Sequence, residues 1–323
     1  VKRSIIQFTA FLFLLAITYK SIYNPFATDY VEAFQTTVEQ AGVERNDLYQ
    51  KIAEKAKIYN VKPSNAAIDP VWKKTPGYNG IAVDVKASYE NMKKSGKFNE
   101  DKLVYKQIKP KVHLDDLPSE AIYRGHPEKP MVSFTINVAW GNEYLPDMLQ
   151  TLKKHDAKAT FFLEGRWVKN NPELAKMIVD EGHEVGNHSY SHPNMATLSS
   201  GQIVDQLKKT NEVITATTGK KVKWFAPPSG SFRKEVVTLA SEQKMSTIMW
   251  TVDTIDWQKP TKDVLINRVM KKIHPGAIVL MHPTETTANS LDQLLTDIEK
   301  KGLDVTTVTM LLDEERMVSY RKD

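Results

Sequence analysis

The chain has 323 residues, 41% hydrophobic and 26% charged, which suits one large packed domain with an appendage. Its 44 basic and 39 acidic side chains leave a formal charge of +5. The basic residues are spread along the chain, with no Lys/Arg block interleaved with aromatics, and this argues against a nucleic-acid partner. There is no cysteine, which excludes disulfides, thiolate-bound zinc, a thiol nucleophile and a lipidated cysteine.

In chain order, Lys2 and Arg3 precede an apolar run from Ile5 to Tyr19. A positive head before an apolar stretch is the pattern of a secretion signal or signal anchor. The run is shorter than the ~20 residues of a full span. Thr18-Tyr19-Lys20 makes a poor small-x-small cleavage site. Residues 1–23 are therefore expected to be an uncleaved anchor in preference to a removed signal, with the basic end cytoplasmic and the bulk of the protein outside. Residues 24–127 read as a small α/β unit and linker. Asp29–Tyr59 has helical spacing of apolar positions, Asn79–Gly96 reads as a strand and then a helix, and Lys102–Leu114 alternates like a strand. Ser119–Pro130 reads as the linker, with Pro127 and Pro130 bounding it.

Residues 128–323 change pattern. Strands are predicted at Met131–Val138, Lys158–Glu164, His183–His188, Val222–Pro228, Ser246–Val252, Ala277–His282 and Asp304–Met310. Amphipathic helical stretches lie between them, at Glu143–Asp156, Pro172–Gly182, Gly201–Gly219, Phe232–Gln243, Thr261–Ile273 and Ala288–Gly302. Such alternation implies a parallel sheet, either a barrel or an open doubly wound sheet, and functional groups belong at the C-terminal strand ends of both. At those ends stand Asn137, then His188 and His192, then the turn Ala226-Pro227-Pro228-Ser229-Gly230, then Asp253, Asp256 and Trp257, then Leu280 and His282. His188 and His192 have the spacing of a divalent-metal pair, although Pro193 and the preceding strand argue for a turn and not a helix. Trp140, Trp224 and Trp250 read as core residues before sugar platforms, and Asp253 reads equally as a turn cap.

Five segments in order, Thr135–Val138, His188–His192, Ala226–Gly230, Asp253–Trp257 and Leu280–His282, resemble the motifs of the polysaccharide deacetylase family (the NodB-homology domain, carbohydrate esterase family four). The resemblance covers about Met131 to Leu312. It implies a distorted (β/α) barrel, a divalent metal, usually zinc, and hydrolysis of N-acetyl groups on a cell-wall glycan. By motif, His188 and His192 become metal ligands and His282 the general acid, with Asp256 tuning its imidazole. Pro227, Pro228, Gly230, Trp257 and Leu280 become substrate-binding residues, the last two walling a pocket for the acetyl methyl. Pro228 holds the position that some members modify at Cα.

The departures from the family are specific. Its first motif carries two aspartates, a base and a metal ligand, where this chain has Asn137 and Val138; its third carries an arginine where this chain has Ala226. An amide is no base near neutral pH, and losing a positioned base costs on the order of 10²–10⁴-fold in rate. With the carboxylate gone, a buried guanidinium would lack its counter-charge, so the two changes are physically coupled. The expectation is therefore an extracytoplasmic deacetylase-family protein of low or no activity, its third protein ligand to the metal missing. The alternative is a catalytically silent glycan-binding protein.

Overall fold

Leu48, Ile52 and Ala56 recur every four residues and form the buried stripe of a helix, α1 (Asp47–Tyr59). They pack with Val83, Met92 and Leu103 around a second helix, α2 (Val85–Met92), whose N-terminus is capped by the Asp84 carboxylate accepting from the Ala87 N–H. The computed structural model describes residues 11–12 and 47–317. Within these, residues 47–60 and 82–106 form one compact unit, and residues 61–81 and 107–317 form another. The predicted N-terminal anchor and the part of the first helix before residue 47 lie outside the described residues, save Phe11 and Leu12. Among the described residues, no helix is long and apolar enough to cross a membrane.

The larger unit is built on strand β1 (Met131–Val138), buried at all eight positions: Val132, Phe134, Ile136 and Val138 face the main apolar core, and the alternate Ser133, Thr135 and Asn137 are buried on the other face. Seven further strands join it: β2 (Thr160–Leu163), β3 (Glu184–Asn187), β4 (Trp224–Phe225), β5 (Ser246–Thr247), β6 (Val252–Asp253), β7 (Ile278–Met281) and β8 (Asp304–Thr306). Their order is β6-β7-β1-β2-β3-β4-β5, and every pairing is parallel. One edge of β1 pairs with β7; the other is shared, Met131–Ser133 with β8 and Thr135–Val138 with β2. The result is a curled parallel sheet, an incomplete barrel that fits the expected distorted one.

The helices are α3 (Leu145–Lys154), α4 (Gly165–Asn170), α5 (Pro172–Asp180), α6 (Ser200–Thr218), α7 (Lys234–Glu242), α8 (Lys262–Lys272), α9 (Glu285–Lys300) and α10 (Val308–Leu312). The main core joins the outer face of the sheet to their apolar stripes, through Leu145, Leu149 and Leu152 of α3, Ile178 of α5, Leu265 and Val269 of α8, and Leu291, Leu295 and Ile298 of α9. The α6 helix opens with a reciprocal Ser199–Gln202 cap and closes at Gly219, which takes φ 70°.

Two predicted strands are corrected. Ser246–Val252 is not one strand: its two ends, β5 and β6, lie at opposite limits of the sheet. The seam between them is filled by residues from before the barrel. Ile122 donates to the Thr247 carbonyl at 2.9 Å and accepts from the Met249 N–H at 2.7 Å, while the Gly125 N–H donates to the Gly276 carbonyl at 2.8 Å. Asp304–Met310 is a strand only to Thr306. The Thr307 hydroxyl then caps α10 by accepting from the Met310 N–H, and the buried Lys129 ammonium donates to the carbonyls of Met310 and Asp313 at the other end.

His183, at the entry to β3, is buried beside the Phe161 ring. Its Nδ1 accepts from the Ala159 N–H at 3.2 Å, and its Nε2 has no partner among the described residues. Burial first, and the Lys158 charge second, push its pKa down to about 4. The unfolded chain therefore binds a proton that the folded chain refuses, and the stability contributed above the ordinary histidine pKa is lost as pH falls toward 4. The expected slope reaches about 1.4 kcal/mol per pH unit. Urea denaturation at about pH 7 and about pH 5 should show the wild type losing stability relative to His183→Gln; parallel curves would contradict this.

Candidate functional site

Because all the strands run the same way, their C-terminal ends share one rim, and a cavity of about 500 Å³ opens there. It is lined by Asn137 from β1, His188 and His192 after β3, Asp253 and Trp257 at and after β6, and Leu280 and His282 at the end of β7. Ala139, Trp140, Ser229 and Trp250 complete the lining.

The two histidines after β3 sit on a coiled turn, not a helix, as Pro193 implied. Ser189 and His192 both take positive φ, 61° and 56°. The turn is held by Asn187 Oδ1 accepting from the Ser189 N–H, by Ser189 Oγ accepting from the His192 N–H, and by Gln206 Oε1 accepting from the N–H groups of Tyr190 and Ser191. The two imidazoles come together with ring centroids 5.0 Å apart. His188 Nδ1 lies 2.8 Å from the Ala226 carbonyl oxygen, so Nδ1 carries the proton and Nε2 keeps its lone pair. Burial, then the neighbouring His192, push His188 down to about 3, and burial also lowers His192. Both rings are neutral near pH 7, the form that ligates metal.

The opposite wall carries the buried Asp256. Its Oδ1 lies 2.8 Å from His282 Nδ1, while its Oδ2 accepts from the His282 N–H at 2.6 Å and from the Thr287 hydroxyl at 2.7 Å. The Thr284 hydroxyl donates to Thr287 in turn, at 2.9 Å. This chain of donors leaves His282 Nε2 as the ring atom without a partner among the described residues, on a side chain that lines the cavity. A proton held there is positioned for transfer to a leaving group.

Asn137 lies between these two halves. It is buried, and its Oδ1 has no hydrogen-bond partner among the described residues. Val138 points away and packs in the main apolar core. Ala226 is buried in an apolar cluster with Phe162 and Ile248, and only its backbone serves the site, through His188. Asp253 is the one carboxylate lining the cavity among the described residues, and its Oδ1 also accepts from the Ile255 N–H at 2.8 Å. Both readings of Asp253, cap and rim residue, therefore hold. Among the described residues, no group of three or more His, Asp or Glu side chains is arranged to hold a metal ion.

Of the remaining motif residues, Trp257 and Leu280 line the cavity. Pro227, Pro228 and Gly230 do not: they shape a turn in which Ser229, at φ 54°, is the residue that faces it. Trp140 and Trp250 are corrections, since both line the cavity instead of only packing in the core. Trp140 is 48% exposed, and its ring lies parallel to that of His282, centroids 6.0 Å apart. The signal for Trp140 was its neighbour: Gly141 takes φ 83°, and a Cβ there would come within 2.0 Å of the Pro283 carbonyl oxygen, so the turn lies directly on the His282 loop. Trp224 stands at the start of β4, where its Nε1 donates to Glu184 at 2.9 Å.

Comparison with known proteins agrees with this geometry. Residues 124–248 match the family model for polysaccharide deacetylase. The chain is 55% identical over 316 residues to the uncharacterized protein YlxY of Bacillus subtilis, covering 98% of this chain and 99% of that one. It is 34% identical over 203 residues to the peptidoglycan-N-acetylmuramic acid deacetylase PdaA of B. subtilis, covering 61% of this chain and 77% of that protein. Among solved structures, a CE4 family pseudoenzyme from Bacillus anthracis is similar at 62% identity and a TM-score of 0.80, covering 84% of this chain and 97% of that one. A mutant of that pseudoenzyme with restored enzymatic activity is similar at a TM-score of 0.79 and 61% identity, covering 83% of this chain and 99% of that one. The chain belongs to the polysaccharide deacetylase family, carbohydrate esterase family four, as a member whose first and third motifs are altered at Asn137, Val138 and Ala226.

Proposed function

We propose that this protein acts outside the cytoplasm on the N-acetylated glycan of the cell wall, holding the strand in the deacetylase cleft with little or no hydrolysis. The observation that carries this is Asn137: a buried, neutral side chain with an unpartnered oxygen where the reaction needs a proton acceptor, facing an intact Asp256–His282 pair. Amide hydrolysis needs a base to take a proton from water and an acid to give one to the departing amine. His282 supplies the second group and Asn137 cannot supply the first. The B. anthracis pseudoenzyme and the peptidoglycan deacetylases among the relatives support both halves of the reading.

The donor set fits a divalent ion in part. His188 Nε2 and the His192 ring would hold it, and the Asn137 amide oxygen is the neutral third donor available. When bound, such an ion lowers the pKa of a coordinated water to about 7. With no carboxylate among these three donors, the set is weak for zinc. Trp257 and Leu280 wall the space for an acetyl methyl, and Trp140 offers an exposed ring beside His282. The extracytoplasmic placement rests on the basic pair Lys2-Arg3 before the apolar run Ile5–Tyr19.

The test is purified protein assayed for acetate release from peptidoglycan and N-acetylglucosamine oligomers, with and without added zinc, alongside metal content by elemental analysis. The expected result is substoichiometric zinc, glycan binding, and release far below that of PdaA. Turnover comparable to PdaA would overturn the reading. If measurable hydrolysis depends on Asp253, so that Asp253→Asn abolishes it, a rearranged hydrolase is favoured instead, since Asp253 is the carboxylate at hand.

A further inference from the structure

A second cavity, about 580 Å³, lies at the other end of the sheet from the histidine rim. Trp224, which lines it, begins β4, and the Glu184 carboxylate that holds the indole begins β3, so the cavity sits at the N-terminal ends of the strands. Its size is that of a small-molecule site. Four carboxylates line it, those of Asp115, Asp313, Glu314 and Glu315, against two basic side chains, Lys109 and His113. Asn79 lines it too. That side chain is only 7% exposed, and its Oδ1 has no hydrogen-bond partner among the described residues. Glu314 repeats the pattern: its Oε2 lies 2.6 Å from His113 Nδ1, while its buried Oε1 has no partner among the described residues. The acidic segment is tied down, since the Asn79 N–H donates to the Glu314 carbonyl at 2.7 Å and Asp313 Oδ1 accepts from the Glu315 N–H at 2.7 Å. Leu114, Leu312 and the Trp224 ring supply apolar wall, and the indole is fixed by donating from Nε1 to Glu184 and to Thr309 Oγ1, both at 2.9 Å. The next cation in the chain is committed elsewhere: Arg316 Nε donates to the Asn79 carbonyl at 2.7 Å and its Nη2 to Glu128 at 3.1 Å.

From this arrangement we infer that the second cavity binds a primary ammonium carried on an aliphatic stem, the group that ends a lysine side chain, at a site separate from the deacetylase cleft. Ionised carboxylates and amide oxygens only accept hydrogen bonds, and an ammonium only donates, with three N–H groups to share among them. The excess of negative charge favours a cation and opposes a phosphate or a polyanion. A metal ion fits less well, because no group of three or more His, Asp or Glu among the described residues is arranged to hold one. The leucines and the indole cover the methylenes of a stem, and the indole face itself attracts a cation. An acetylated amine has neither the charge nor the three donors, so the cavity distinguishes a free amine from a blocked one. Lysine within a peptide and free lysine offer the same ammonium and the same stem.

The test is titration of the isotope-labelled full chain, followed by NMR at the indole N–H groups, with Nα-acetyl-L-lysine amide, its Nε-acetylated form, free L-lysine and glucosamine. The wild type should bind the lysine amide with a Kd of about 1 mM or tighter, and the Nε-acetylated form about tenfold or more weakly. The shifts should centre on Trp224 and leave Trp257, in the cleft, unmoved. Glu314→Gln should lose about tenfold, and Asp115→Asn, at an exposed position, about two- to threefold. Should Glu314→Gln fail to fold, Asp115→Asn decides alone. Tighter binding of the blocked lysine than of the free one assigns the site to a peptide side chain, and the reverse assigns it to a free diamino acid; both support an ammonium site. Glucosamine, an ammonium without the stem, should bind about tenfold more weakly than the lysine amide, and equal binding refutes the stem. Equal affinity for the Nε-acetylated form, or wild-type affinity in folded charge variants, refutes the ammonium. Absence of any shift at Trp224 overturns the site, and none of these outcomes depends on what the cleft binds.

Discussion

Asn137→Asp should raise acetate release from N-acetylglucosamine oligomers by about 10²–10⁴-fold in the presence of zinc, the usual worth of one positioned general base. The rest of the site is ready for it. His188 and His192 are neutral and adjacent, His282 is pinned by Asp256, and Asn137 already faces the cavity with an oxygen that no donor satisfies. A carboxylate placed at this buried position can accept a proton from water, which the amide cannot. The same burial carries a cost. Ala226 supplies no counter-charge, and its apolar surroundings leave little room for one, so the variant should be less stable above its own pKa. Steady-state kinetics checks the gain, and a control in which His192→Ala removes it ties the activity to the histidine pair. If Asn137→Asp binds zinc and glycan yet releases no more acetate than the wild type, the missing base is not what silences the site.

The second large effect concerns stability. Asp256→Ala should cost roughly 3–5 kcal/mol, because it removes one partner of a buried pair and leaves the others unmet. Three donors depend on this carboxylate: the His282 N–H, the His282 ring and the Thr287 hydroxyl. All lie where water would have to enter the rim of the sheet to replace it, since Asp256 itself is 0% exposed. Asp256→Asn, which keeps the shape and one acceptor, should fall between the two. Urea denaturation followed by circular dichroism measures both. A loss under about 1 kcal/mol for Asp256→Ala would mean that the pair is held by its surroundings and is not a support of them.

Much of the fold was legible because the signals are local. Short β-rich runs such as Met131–Val138, alternating with amphipathic helical stretches, located the strands and, through their C-terminal ends, the rim on which Asn137, His188, His192 and His282 meet. What was not legible depended on long-range pairing or short polar switches. The run Ser246–Val252 has strand composition throughout, but only its ends find partners, on strands far apart in the sheet. Thr307 turns a β-rich stretch into a helix through one hydroxyl cap. Helix α4 has only six residues, too few for a periodic pattern, and begins with the Glu164 carboxylate accepting from the Trp167 N–H. Trp140 was hidden for a different reason: whether an indole packs inward or stands at a rim is decided by the backbone of Gly141 against Pro283, not by its own chemistry.

The seam between β5 and β6 has a practical consequence. The backbone that fills it, Ile122 to Gly125, belongs to the stretch that sequence alone reads as a connector before the barrel. An expression fragment trimmed to begin at residue 128 would keep every motif and lose that backbone. Thr247, Met249 and Gly276 would be left with bare amides and carbonyls along an open margin, inviting strand exchange between molecules. Fragments of this protein should start upstream of Ala121, and insoluble material from a shorter one would say nothing about the cleft.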